Sequence, residues 1–162
     1  HPVLISDSSY LANLKSVRNG IEIETDLLGT LHIAGSGAGQ ESTASGVISD
    51  LVYLANSNES ISKNKITTKK IEFIDFLDLT FKYYFCIEAE DLPGVMTSIS
   101  SIFSENKVGI DSIVQKEELP DNVAPIVIIT DSFNERNHRE LLNNILNLDS
   151  VKNVRSIRIE TD

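Results

Sequence analysis

From Phe81 to Glu90 apolar and polar side chains alternate, with Phe81, Tyr83, Phe85, Ile87 and Ala89 set against Lys82, Tyr84, Cys86, Glu88 and Glu90. A period of two predicts a β-strand with one buried face. Pro93-Gly94 then turns the chain, and Val95, Ile99, Ile102 and Phe103 form the apolar stripe of a helix that ends before Gly109. Residues 110–116 and 126–130 read as two strands joined by a polar loop carrying Pro120 and Asn122. Asn134 is placed to cap a helix burying Leu141, Ile145 and Leu148, and residues 154–159 close the chain as a strand. The order βαββαβ predicts a ferredoxin-like antiparallel sheet with two helices on one face.

The first third has a different rhythm. Residues 20–26 and 27–34 each read as a strand, with Ile21/Ile23 and Leu31/Ile33 alternating with polar neighbours, which suggests a hairpin. The turn Gly35-Ser36-Gly37-Ala38-Gly39 follows. Ala44, Val47, Ile48, Leu51, Val52 and Ala55 then recur at helical spacing, with Ser42 or Thr43 as the expected N-cap. Between the two patterned regions, residues 57–65 are polar and without periodicity, as a linker would be. The expected organisation is therefore α+β in three parts: 1–56, a linker over 57–80, and 81–162.

Composition narrows the partners. With 14 Lys+Arg against 24 Asp+Glu in 162 residues, the net charge is −10, and the densest basic clustering is Lys63 to Lys70. That balance argues against nucleic acid, which is met first by clustered cations. The single cysteine, Cys86, excludes an intrachain disulfide and a multi-cysteine zinc site, and fits a reducing, cytoplasmic compartment. No apolar run approaches the roughly 20 residues that span a bilayer, so no membrane partner is expected. The chain opens His1-Pro2 and its sole methionine is Met96, which fits either an N-terminal processing event or the tail of a longer protein, the second being the expected case.

Two local features could carry chemistry. A strand, closely spaced glycines and a helix start leave backbone N–H groups free to approach an anion or a ring. The dinucleotide fingerprint is nevertheless incomplete, because Gln40 stands where its third glycine belongs. The same glycines also suit a tight strand-to-helix connection. The second feature, Asp91-Leu92-Pro93-Gly94, reads either as a turn with a helix start or as a carboxylate-binding pocket at that start. His1, His32 and His138 lack metal-ligand spacing and read as surface or packing residues, so no metal is expected. Glu88 and Glu90 share one strand face, which a solvated surface explains better than an acid–base pair.

The sequence from Gly35 to Leu51, with its Gly-Ser-Gly-Ala-Gly loop followed by Thr43-Ala44-Ser45 and Asp50, resembles the end of the homoserine dehydrogenase catalytic region, and Leu11 to Ile21 is similar to the segment before it. Residues 83–162 resemble an ACT domain, through Asp91-Leu92-Pro93-Gly94-Val95 and the strand beginning Gly109-Ile110. The resemblance implies the C-terminal part of an enzyme that interconverts homoserine and aspartate semialdehyde with NADP or NAD, in threonine and methionine biosynthesis. It further implies that Gly37, Ala38 and Gly39 meet the cofactor. An amino-acid effector, threonine, would be lined by Asp91, Gly94, Val95, Gly109 and Ile110, and the protein would be a homo-oligomer. Ser36 and Ser42 depart from prolines common in the family. The Rossmann segment and the residues for proton transfer have no counterpart here, so no catalytic residue is expected and the fragment alone should not be competent. The alternative is a stand-alone ACT-type amino-acid-binding module, which leaves residues 1–56 unexplained.

Overall fold

The computed structural model describes residues 1–57, 72–116 and 122–160. Most of the expected linker, with Lys63 to Lys70, and Pro120 in the loop after Lys116 lie outside the described residues. In chain order the elements are β1 (Val3–Leu4), β2 (Arg18–Thr25), β3 (Gly29–Ser36), α1 (Gln40–Asn56), β4 (Thr80–Glu90), α2 (Val95–Glu105), β5 (Ile110–Gln115), β6 (Val123–Thr130), β7 (Phe133–Asn134), α3 (Glu135–Leu146) and β8 (Val151–Ile159). Contacts divide the chain into residues 6–71 and a second unit of 1–5 with 72–162.

In the first unit β2 and β3 form the expected antiparallel hairpin, with Ile21 opposite Ile33 and Ile23 opposite Leu31. Thr25 pairs with Gly29, leaving Asp26, Leu27 and Leu28 as the connection, and the Leu28 N–H donates to Thr25 Oγ1 at 3.0 Å. Helix α1 starts at Gln40 behind Gly39, earlier than the expected cap at Ser42 or Thr43. Those two hydroxyls instead donate back to the Gly39 carbonyl at 3.1 and 2.8 Å, a bond open to Ser and Thr once they lie inside the first turn. No residue of α1 is buried, and Val47, Ile48, Leu51 and Val52 are each more than half exposed.

The second unit holds the core. Its sheet runs β1-β8-β4-β6-β5, with β7 paired to the start of β4. Strand β4 lies between β8 and β6, antiparallel to both. Its inward residues Tyr83, Phe85, Ile87 and Ala89 are fully buried against Val95, Ile99 and Phe103 of α2 and Leu141 and Ile145 of α3. This is the βαββαβ arrangement anticipated from the sequence, and Asn134 caps α3 by accepting the Asn137 N–H at 2.8 Å. Strands β6 and β8 begin three residues earlier than their patterns suggest, because β4 is long enough to pair Val123 with Glu90 and Val151 with Ala89. β6 runs through Pro125, whose carbonyl accepts the Lys116 N–H at 2.9 Å. Two-residue β1, parallel to β8, is too short to leave a periodic signal.

The contrast in burial predicts contrasting sensitivity. Phe103, 1% exposed and edge-on to Phe85 at 5.5 Å, should lose about 3–5 kcal/mol as Phe103→Ala. Leu51→Ser on the 60% exposed face of α1 should change stability by about 0.5 kcal/mol or less. Urea titrations of this chain followed by circular dichroism check both.

Candidate functional site

The glycine loop leaves β3 and enters α1, and its backbone is committed at one end. Gly37 donates its N–H to the Val17 carbonyl at 2.7 Å, tying the end of the hairpin to its beginning. A side chain at Gly37 would place Cβ 2.5 Å from Asn19 Nδ2, so the close approach needs glycine. Gly39 has φ 130° and ψ 142°, a region that L side chains rarely occupy. Of the three residues expected to face a cofactor, Gly37 therefore has its N–H already bonded. The N–H groups of Ala38 and Gly39 have no partner among the described residues. They continue into the open N–H groups of the first turn of α1, where the helix dipole favours negative charge. Acceptor oxygens, such as those of an amide or a phosphate, suit these two donors, and the Gly37 amide is not open to one.

The second expected site divides in two. Asp91, Gly94 and Val95 lie together between β4 and α2; Gly94, with φ 94°, caps α2, and Asp91 Oδ1 accepts from Gln115 Nε2 at 3.1 Å. Gly109 and Ile110 lie beyond the other end of the 11-residue α2, about 16 Å along its axis, where Ile110 pairs with Thr130. One chain brings the first three residues together and leaves the last two apart from them.

Glu88 is held by Arg155 and receives Asn153 Nδ2 at 3.4 Å, which ties it into the surface of the sheet. His32 stacks on Tyr10 with ring centroids 4.3 Å apart, 3.2 Å from Glu22. Among the described residues no cluster of His, Cys, Asp or Glu suits a metal ion, and no helix is long and apolar enough to cross a membrane.

A buried polar group between α3 and the sheet escaped the sequence reading. Glu135, at the first turn of α3, accepts Arg158 Nε at 3.0 Å, Arg158 Nη2 at 2.7 Å and the Tyr83 hydroxyl at 2.8 Å. Burial pushes its carboxyl up, but the Arg158 and Tyr83 hydrogen bonds and the charge of Arg158 outweigh this and hold it below the usual carboxylate range. Burial, the hydrogen bond and the charge of Glu135 drive the Tyr83 phenol well above its ordinary value. His138 lies flat on Tyr83 at 4.1 Å, with Nε2 2.9 Å from Ser156 Oγ. Its buried Nδ1 has no hydrogen-bond partner and lies 3.8 Å from Glu135 Oε1. Burial lowers its pKa, opposed by Glu135 and assisted by Arg158 and Arg139. Glu135 and Arg158 are 23 residues apart, so no local pattern announces the pair.

A hairpin, glycine loop and helix joined to a ferredoxin-like βαββαβ unit define a two-unit α+β chain. Over nearly its whole length this chain matches the C-terminal region of homoserine dehydrogenases. The homoserine dehydrogenase family model matches residues 1–52. The Helicobacter pylori homoserine dehydrogenase is 32% identical over 161 residues, which are 99% of this chain and 38% of that protein. That of Neisseria gonorrhoeae is 29% identical over 170 aligned residues, 99% of this chain and 39% of its own length. The crystal structure of a homoserine dehydrogenase from Thiobacillus denitrificans superposes with a TM-score of 0.79 at 28% identity, covering 99% of this chain and 38% of that one. The chain thus spans less than two-fifths of the length of these relatives.

The buried cluster makes stability acid-sensitive. His138 is held below its ordinary 6.5 in the fold, so on acidification the unfolded chain takes up that proton first. Stability should fall as pH drops below about 6.5, with a second loss as Glu135 is protonated below its ordinary 4.5. Urea midpoints measured from about pH 7.5 to pH 4 should decline in that order, and His138→Phe should remove the first step.

Proposed function

We propose that this chain is the C-terminal part of an NAD(P)-dependent homoserine dehydrogenase, in which residues 1–56 complete the catalytic region, 57–80 link, and 81–162 form an ACT regulatory domain. The observation that carries this reading is the match across both units at once. A stand-alone ACT module has no use for the glycine loop and α1. In the parent enzyme the cofactor would carry hydride between homoserine and aspartate semialdehyde. Within this chain, Ala38, Gly39 and the first turn of α1 would contribute backbone N–H donors that orient it. Gly37 acts indirectly, holding the loop against Val17. No residue of this chain is assigned proton transfer.

The ACT domain would sense an amino acid, for which threonine is the reading. The carboxylate of such a ligand suits the open N–H groups at the start of α2, and Asp91 suits its ammonium group. Gly109 and Ile110 join this site only from a second copy. Strand β5 pairs with β6 alone among the described residues, leaving an outer edge where Ile113 and Val114 are 41% and 54% exposed. A two-fold antiparallel pairing of β5 centred on Ile113 sets Ile110 of one copy opposite Lys116 of the other, beside the Gln115 that contacts Asp91. The protein would then be a homo-oligomer whose effector site is completed by dimerisation.

Purified full-length parent should oxidise homoserine with NADP or NAD, and absence of that activity overturns the assignment. Gly39→Ala in the parent should raise KM for the cofactor by roughly tenfold, since a side chain is strained at φ 130°. Calorimetry with threonine should show binding that Asp91→Ala weakens by roughly tenfold or more. No heat with threonine leaves a dimerising role for the domain.

A further inference from the structure

Residues 6–71 are inserted between β1 and the segment that leads into β4, so the chain enters and leaves the βαββαβ unit by two passages, residues 1–5 and 72–80. Both meet at Arg158, the first through the backbone register of β1 and through the His1 ring, which packs edge-on against Phe76 at 5.3 Å and Phe81 at 5.4 Å, and the second through the Arg158 side chain. On the first, β1 pairs with β8 so that Val3 lies beside Arg158, and the Glu160 N–H donates to the Leu4 carbonyl at 2.9 Å. On the second, Phe76 sits in the short turn Phe76–Asp78, its ring centroid 5.0 Å from the Arg158 guanidinium, with Phe81 at 5.6 Å on the same group. Glu135 then engages both partners: its carboxylate takes Arg158 through two hydrogen bonds and its N–H holds the Leu79 carbonyl at 2.9 Å. Arg136 adds Asp78 at 3.2 Å.

We propose that the Arg158–Glu135 ion pair is a clasp that fastens both passages to the βαββαβ unit, so that the two are held and released together. A guanidinium suits this role because it can accept aromatic faces and still present a planar fork to a carboxylate, which an ammonium cannot do. The pair is buried, with the side chains of Glu135 and Arg158 3% and 18% exposed, so separating it leaves an uncompensated charge and favours an all-or-none response. Any shift of α3 or β8 that moves Arg158 acts on both ends of the segment that carries the glycine loop. As a route by which an effector reaches that loop, the clasp rests on the amino-acid-sensing reading above; as a mechanical device it does not.

Hydrogen exchange read by mass spectrometry on the complete chain tests it. Arg158→Lys keeps the charge but removes the fork and the ring contacts. It should speed exchange by roughly tenfold in residues 72–80 and at the Glu160 amide together, with residues 82–88 unchanged. Glu135→Gln separates the pair while leaving the Phe76 ring on both His1 and Arg158, and it should likewise speed exchange in residues 72–80 and at the Glu160 amide together. Acceleration confined to one passage, or to neither, overturns the clasp. If Arg158→Lys does not fold, Glu135→Gln decides alone. A null result in the threonine calorimetry together with coupled exchange would reject the sensing reading and keep the clasp.

Discussion

The second unit depends on one strand being apolar on one side over its whole length. β4 is the strand to which β8 and β6 both pair, and Tyr83, Phe85, Ile87 and Ala89 give α2 and α3 a common surface. A register slip by one residue would turn Lys82, Tyr84, Cys86 and Glu88 inward and strand two charges in the core. The pairing partners, the helix faces and the extra length of β6 and β8 follow from that strand. The polar group around Glu135 is tolerated because Tyr83, the first fully buried residue of β4, carries its hydroxyl to the edge of the core and donates it there.

The first unit is organised on a different principle. Its hairpin and helix are regular, but the apolar faces of both stay open, with Ile21, Ile33, Val47, Ile48 and Leu51 all more than half exposed. A side chain of this kind contributes roughly 1.5–3 kcal/mol when fully buried, and α1 draws on little of it. What is specified is the loop between them. Gly37 closes on Val17, Gly39 takes a backbone angle foreign to other residues, and the hydroxyls of Ser42 and Thr43 secure the carbonyl of Gly39. The geometry of the loop is fixed by a hydrogen bond across the hairpin and by hydroxyls within the first turn of α1.

The two candidate sites differ in how far they could be read from sequence. The glycine loop is continuous, so its place between a strand and a helix was legible, although the bond that occupies the Gly37 N–H was not, because Val17 is twenty residues away in the chain. The residues expected at an effector site form two short runs separated by α2. Each run was recognisable, but their separation follows from the length and direction of a helix that the runs themselves do not contain. Glu135 and Arg158 carried no signal, since a lone charge on an amphipathic helix or an edge-proximal strand normally reads as solvated surface.

By itself the sequence determined the order βαββαβ, the buried face of β4, the hairpin, the Asn134 cap and the position of the glycine loop. All of these arise from side-chain periodicity or from residues a few positions apart, where the backbone alone sets which groups meet. The tertiary structure alone decided the parallel addition of β1 to β8, the start of α1 at Gln40, the distance between Asp91, Gly94 and Val95 on one side and Gly109 and Ile110 on the other, and the burial of the Glu135–Arg158 pair. These depend on which distant segments the packed sheet and helices bring into contact, and a charge becomes a buried anchor only when its partner arrives from another element.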